Sequence, residues 1–183
     1  LHVTRTDYTG RRLAWLKFED VSPALIDVMV LAEDKRFWSH GGIDGWAMLN
    51  SIATAFLEFK RPHGASTITM QLAGLLDPEL RARRSRRSVF QKLIQVATAW
   101  SLERGWQKRE ILEAYLNLVT FRGELQGVQA ASRALFDKWP SGLQKVEAAL
   151  LSSLVRAPNA SPLKAGERAC QLLVRTGNTN ACS

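Results

Sequence analysis

The sequence predicts a mainly α-helical domain, and three observations carry that reading. Apolar residues recur at helical spacing, as in Leu25, Val28, Met29 and Ala32, or Val89, Leu93, Val96, Ala97 and Trp100. Capping residues stand before several of these stretches, with Ser22-Pro23, Asp44 and Ser66 at their starts. Strand-like alternation is confined to the segment before residue 19.

Taken in order, Val3 to Phe18 is expected to form a short β-hairpin around Asp7-Tyr8-Thr9-Gly10, where Gly10 can supply the positive φ of a tight turn. Ser22 caps a helix that Pro23 opens at its first position. Asp44 can cap a second helix with Trp46, Leu49, Ile52, Ala53 and Phe56 on one face, broken by Lys60-Arg61-Pro62-His63-Gly64. Ser66 can cap a third, running through Ile68 and Leu72 to Leu75 and stopped by Asp77-Pro78. A long helix is expected from about Ser88 to Glu103. Others follow at about Gln107 to Leu118, Leu125 to Phe136 and Leu143 to Val155, before Ala157-Pro158. The chain has no repeat and no low-complexity linker.

A length of 183 residues suits one domain with a sizeable core, arranged in one or two lobes. Hydrophobic residues at 46% and charged residues at 23% place it among globular chains. The net charge of +8 favours an anionic partner: nucleic acid, a phosphorylated ligand or an acidic membrane surface. Nucleic acid is disfavoured, because the densest basic stretch, Arg81 to Lys92, has no aromatic among its five arginines and belongs to no nucleic-acid module. No apolar run approaches the ~20 residues of a membrane span, since Asp27 interrupts the best early candidate. The chain opens at Leu1 without a methionine and so reads as an excised piece, with an anchor expected upstream of Leu1. Cys170 and Cys182 are the only cysteines; they form either a short disulfide loop worth roughly 3 kcal/mol or two unpaired thiols in a tail.

Two polar runs concentrate the chemistry. Glu33-Asp34-Lys35-Arg36-Phe37-Trp38-Ser39-His40 closes an apolar helical stretch with its most titratable residues, and Gly64-Ala65-Ser66-Thr67-Ile68-Thr69-Met70-Gln71 opens another helix. A carboxylate such as Glu33 can act as a general base, whereas an isolated Glu-Asp pair at a helix end is as readily a solvated surface. Ser66 can cap its helix while the free amides at the helix start bind a phosphate, and Gln71 could reach the same ligand.

These runs resemble the motifs of the peptidoglycan glycosyltransferases, glycosyltransferase family 51. Glu33-Asp34-x-x-Phe37-x-x-His40-x-Gly42-Ile43-Asp44 looks like the first motif, and Gly64-x-Ser66-Thr67-Ile68-Thr69-x-Gln71 like the second. Arg87 and Lys92 fall where the third places its basic residues. Glu110-Ile111-Leu112-x-x-Tyr115-Leu116-Asn117-x-x-x-Phe121 with Gly127-Val128-x-Ala130-Ala131 is similar to the fourth, and Leu154-x-x-Ala157-Pro158 to the last. Met70-Gln71 and Leu75-Leu76-Asp77-Pro78 look most like class A penicillin-binding proteins of the 1C type. The motifs span residues 20–160 of a single domain covering residues 1–183.

The resemblance implies a lysozyme-like helical head and a smaller hydrophobic jaw, at about residues 45–65, that dips into the membrane. It implies that lipid II is polymerised onto a lipid-linked glycan strand with inversion at the donor anomeric carbon, at the outer, periplasmic face of the bacterial cytoplasmic membrane. Cell-wall synthesis proteins would be the partners. Glu33 takes the part of the general base. Asp34, Phe37, His40, Ser66, Thr67, Gln71 and Gln95 are expected around the substrate, with His40 shaping its loop by hydrogen bonding and Asp44 a simple N-cap. Arg87 and Lys92 are expected at the pyrophosphate. Without the resemblance, the apolar segment Trp46 to Phe59 reads equally as a core helix.

The departures from the family pattern bear on activity. Gln95 stands where a second glutamate is usual, Gln91 replaces an arginine, Gly74 a lysine, and Arg122 a glycine. An amide cannot titrate or ligate a metal as a carboxylate does, so Gln95 counts against a divalent cation, Mg2+ or Mn2+, which the resemblance allows without requiring. It also counts against a glycosidase, which usually needs two carboxylates. The alternative to an active enzyme is a catalytically weak module that binds lipid II or assembles with the synthesis machinery. If the missing carboxylate limits the reaction, Gln95→Glu would speed it.

Overall fold

The computed structural model describes residues 15–46, 49, 66–77, 89–123 and 125–178. The class is mainly α, as the periodicity predicts. Seven helices can be followed among the described residues: α1 (Pro23–Glu33), α2 (Ile68–Leu76), α3 (Val89–Gly105), α4 (Lys108–Leu118), α5 (Val128–Phe136), α6 (Lys145–Arg156) and α7 (Pro162–Arg175). Short 3-10 turns lie at Phe18–Asp20, Phe37–Ser39 and Pro140–Gly142. Among the described residues, extended pairing is limited to one antiparallel bridge between Thr120 and Gln126.

The chain divides into two compact units, Leu1–Ala32 with Leu116–Ser183, and Glu33–Tyr115. In the first, Leu25, Val28 and Met29 of α1 are buried, as are Leu116, Phe121, Val128, Leu151 and Leu173, and α6 packs on α7. Burying a side chain of this size contributes about 1.5–3 kcal/mol. Ser22 caps α1 as expected, its Oγ accepting from the Leu25 amide at 3.1 Å. At the other end of α1 the Arg156 guanidinium donates to the Ala32 carbonyl, satisfying one of the acceptors a helix leaves open.

Helix α6 starts with a capping box in which the Gln144 amide donates to Glu147 Oε2 at 2.8 Å. Helix α7 was not foreseen, although Ser161-Pro162 repeats the cap-and-proline signature of Ser22-Pro23. It carries Cys170, which is disulfide-bonded; Cys182 lies outside the described residues.

Helix α5 begins at Val128, three residues later than the apolar spacing suggests. Gln126 is held in the bridge to Thr120 instead, and Gly127 follows at φ +82°. A β-carbon on Gly127 would stand 2.7 Å from the Asn117 carbonyl oxygen, so only glycine fits. Asn117 in turn clamps Leu16 through two 2.8 Å hydrogen bonds, its Oδ1 accepting from the Leu16 amide and its Nδ2 donating to the Leu16 carbonyl.

In the second unit α2 packs on α3 through Met70, Ala73 and Ala99, with Val96 and Leu102 against them. Gly42, at φ +91°, approaches the Ala99 carbonyl so closely that a β-carbon would lie 3.0 Å from it. This fixes the loop after α1 against α3.

Several expectations fall outside the described residues: the hairpin up to residue 14, most of the Asp44–Lys60 helix and hence the jaw, and the arginines from Arg81 to Arg87. Residues 45, 46 and 49 do have helical backbone. Phe18, expected as the last hairpin residue, instead opens a 3-10 turn.

Two outcomes follow from these contacts. Gly127→Ala should cost about 1–3 kcal/mol or more from backbone strain alone, seen as a thermal midpoint lowered by at least several degrees. Burial works to raise the Glu147 carboxyl, but the Gln144 amide and the Lys138 ammonium outweigh it and hold the group below its ordinary value. Its contribution is therefore present above the ordinary carboxylate range and is lost as pH falls through the lowered value. Glu147→Gln should accordingly flatten the acid limb of a stability–pH profile.

Candidate active site

The first polar run and the start of α2 meet within the Glu33–Tyr115 unit, and three hydrogen-bonded groupings organise them. Glu33 is the last residue of α1 and is buried. Gln71, one turn into α2, donates from Nε2 to Glu33 Oε2 at 2.9 Å. The Tyr115 hydroxyl of α4 donates to Gln71 Oε1 at 3.0 Å. Tyr115 thus fixes which end of the Gln71 amide faces Glu33, and the end it presents is the donor that suits a carboxylate.

The second grouping belongs to Asp34, which is only 6% exposed. His40 Nε2 lies 2.9 Å from both carboxylate oxygens, and the Ile68 amide at the start of α2 donates to Oδ2 at 3.0 Å. A carboxylate only accepts, so Nε2 carries the proton. His40 Nδ1 is buried with no partner among the described residues. Phe37 is fully buried and meets both the Trp38 ring, at 5.0 Å, and Lys108 Nζ, 4.5 Å from its centroid. Arg36 pairs with the buried Asp44, Nε to Oδ2 at 2.8 Å.

The third grouping corrects the sequence reading of the α2 cap. Thr67, not Ser66, is the N-cap: its Oγ1 accepts from the Met70 amide at 3.1 Å and donates to the Gly42 carbonyl at 2.6 Å. Ser66 lies one residue earlier, where its Oγ accepts from Lys92 Nζ of α3 at 2.7 Å. The amides of Ile68 and Met70 are therefore already occupied, by Asp34 and Thr67. The polar side chains brought together ahead of this helix start are Ser66 and Lys92.

A family model described as Transglycosylase matches residues 2–176. The chain belongs to the transglycosylase family. It is 38% identical to penicillin-binding protein 1C of Escherichia coli over 141 residues, covering 77% of this chain and 18% of that protein. It is 35% identical to a biosynthetic peptidoglycan transglycosylase of Mannheimia succiniciproducens over 158 residues, 86% of this chain and 62% of that protein. A protein of the same description from Rhizobium meliloti is 32% identical over 153 residues, 84% and 61%. The chain thus spans less than two thirds of the length of each of these relatives.

Of the residues singled out in this transglycosylase-family sequence, Glu33 with Gln71, Asp34 with His40, and Ser66 with Lys92 are brought together. Phe37 and Thr67 are buried in supporting positions, and Arg87 lies outside the described residues. Two participants were not singled out as site residues. Tyr115 was quoted only as a motif letter. Glu103, whose Oε1 accepts from Thr69 Oγ1 and from Lys108 Nζ at 2.6 Å each, lies outside every motif.

Gln95 is fully buried, with Nε2 donating to the Met70 carbonyl and Oε1 without a partner among the described residues. It is a strut between α3 and α2 and makes a poor cation ligand. No group of three or more His, Cys, Asp or Glu side chains suited to a metal occurs among the described residues. This geometry revises the expected outcome of Gln95→Glu. A carboxylate there would face a carbonyl, two acceptors together, unless it were protonated. The variant should lose about 1–3 kcal/mol of stability, with a smaller loss at pH 5 than at pH 8. Raising the folded-state value above the unfolded one makes stability fall as pH rises. Thermal melts at the two pH values test it.

Proposed function

We propose that this chain is a peptidoglycan glycosyltransferase that polymerises lipid II into glycan strands, with Glu33 as the general base. The observation that carries the reading is the Tyr115–Gln71–Glu33 chain, which orients one buried carboxylate at the end of α1. The family membership and the names of the relatives point to the same activity.

In this reading the 4-hydroxyl of the incoming lipid II sugar loses its proton to Glu33 and attacks the anomeric carbon of the lipid-linked strand. The bond to the undecaprenyl pyrophosphate breaks with inversion. General-base assistance of this kind is typically worth 10²–10⁴-fold. The leaving group departs as an anion that is already stable, so it needs cations more than an acid. Lys92 beside Ser66 supplies one, and Arg87 is assigned as another by motif position; stabilising developing charge in this way is often the largest catalytic contribution. Asp34, His40, Phe37 and Thr67 hold the loop and helix that carry these groups. Gln95 keeps α2 on α3.

The reaction places the protein at the periplasmic face of the bacterial cytoplasmic membrane. No described helix is long and apolar enough to cross a membrane. Contact with the bilayer is assigned to the jaw, where the helical residues Trp46 and Leu49 are 69% and 64% exposed.

Labelled lipid II in detergent, with products resolved by size, tests the proposal. Wild type should give polymer, and Glu33→Gln should lower the rate by about 10²-fold or more. Lys92→Ala and Arg87→Ala should raise KM or abolish turnover. Undiminished polymer from Glu33→Gln would remove the general base from the mechanism. Retention of lipid II without polymer by wild type would identify a binding module instead.

A further inference from the structure

The unit formed by Leu1–Ala32 and Leu116–Ser183 contains a cavity of about 430 Å3 that takes no part in the chemistry above. Its lining combines two tryptophans, Trp15 and Trp139, with the polar side chains of Asp20, Gln129 and Ser141. The volume falls within the range of small-molecule sites, about 300–1,000 Å3. Trp15 and Trp139 are 50% and 60% exposed, as the other tryptophans of the chain also are, so what sets this pair apart is the shared cavity.

Both tryptophans sit on clamped backbone. Leu16, next to Trp15, is held from both sides by the Asn117 side chain. Trp139 lies between Lys138, whose carbonyl accepts from Ser132 Oγ at 2.7 Å, and Pro140, whose carbonyl accepts from the Ser22 amide at 3.1 Å. The Gly142 amide donates to the Trp139 carbonyl at 2.9 Å, and the Arg133 guanidinium lies 5.3 Å from the ring centroid. The backbone that carries both rings is therefore fixed before any ligand arrives, which lowers part of the ordering cost of binding.

The lining selects among ligand classes. Among the described residues that line it, Asp20 is the one charged side chain, and its carboxylate disfavours an anion here. A purely apolar ligand would leave Asp20, Gln129 and Ser141 unsatisfied. A neutral pyranose fits both demands, because its C–H faces stack on indole rings while its hydroxyl and acetamido edges bond to carboxylate, amide and hydroxyl groups. We propose that this cavity is a secondary binding site for neutral N-acetylhexosamine units of a glycan strand, separate from the residues that catalyse transfer. The choice of an amino sugar rests on the glycosyltransferase reading; the stacking argument does not.

The test is titration of the whole chain with β-1,4-linked N-acetylglucosamine tetramer, followed by tryptophan fluorescence and ligand-observed NMR, with maltotetraose as control. Glu33→Gln protein is titrated alongside, so that the result is independent of turnover. Saturable binding with Kd of about 1 mM or tighter is expected, weakened about tenfold by Trp139→Ala and several-fold by Gln129→Ala. Glu33→Gln should bind as wild type does. Gln129→Ala keeps the test intact should Trp139→Ala fail to fold, as monitored by circular dichroism. Absence of saturation, equal binding of maltotetraose, or binding unaffected by Gln129→Ala would overturn the proposal. Loss of binding in Glu33→Gln would do so too, by placing the sugar at the catalytic residues. Failure of lipid II polymerisation with tetramer binding intact would sink the catalytic reading and leave this site standing.

Discussion

The arrangement of the second unit depends on a buried carboxylate whose oxygens are taken up by its neighbours. Asp34 adjoins Glu33 in sequence, yet its oxygens are committed to His40 and to the Ile68 amide. A charge removed from water at this depth has to be hydrogen-bonded, and stripping one partner from such a pair costs about 3–5 kcal/mol. That penalty ties the loop after α1 to the first turn of α2. Gln71 then lies one turn further along the same helix, within reach of Glu33. The position of the proposed base is set by its neighbour's need for partners.

The other contacts around this anchor act in the same direction. Thr67 closes the α2 N-terminus and binds the Gly42 carbonyl, while Gly42 presses on α3 where no β-carbon would fit. Glu103 of α3 gathers Thr69 of α2 and Lys108 of α4 on one oxygen. Tyr115, fully buried near the end of α4, completes the frame by fixing the Gln71 amide. These contacts tie the loop after α1 to α2, α3 and α4 around the Gln71–Glu33 pair, the kind of support the proposed base would need.

Much of this was legible in the sequence because its signals are local. Ser22-Pro23, the apolar spacing of α1 and the long α3 follow from capping and 3.6-residue periodicity. The motif letters marked Glu33, Ser66, Gln71 and Lys92. What remained hidden depended on contacts distant in sequence. Ser66 and Thr67 are both competent caps, and only the Gly42 carbonyl, 25 residues away, decides for Thr67. The early start expected for α5 ignored Gly127, whose conformation is set by close approach to Asn117. Helix α7, by contrast, carries a local signal, since Ser161-Pro162 repeats the cap-and-proline signature of Ser22-Pro23.

The departures from the family pattern are coherent once burial is considered. Gly74, where a lysine is usual, and Gln95, where a glutamate is usual, are both buried. They also share a neighbour. The Met70 carbonyl that accepts from Gln95 is the one that α-helical geometry assigns to the Gly74 amide four residues on. In this chain the two positions bring a glycine and an amide to the α2–α3 contact, so neither of them adds a charge to be desolvated there. The Gln95 strut holds α2 at the residue before Gln71, and the hydrogen bond from Gln71 to Glu33 stands beside it. A neutral contact between α2 and α3 is therefore compatible with the oriented carboxylate of Glu33.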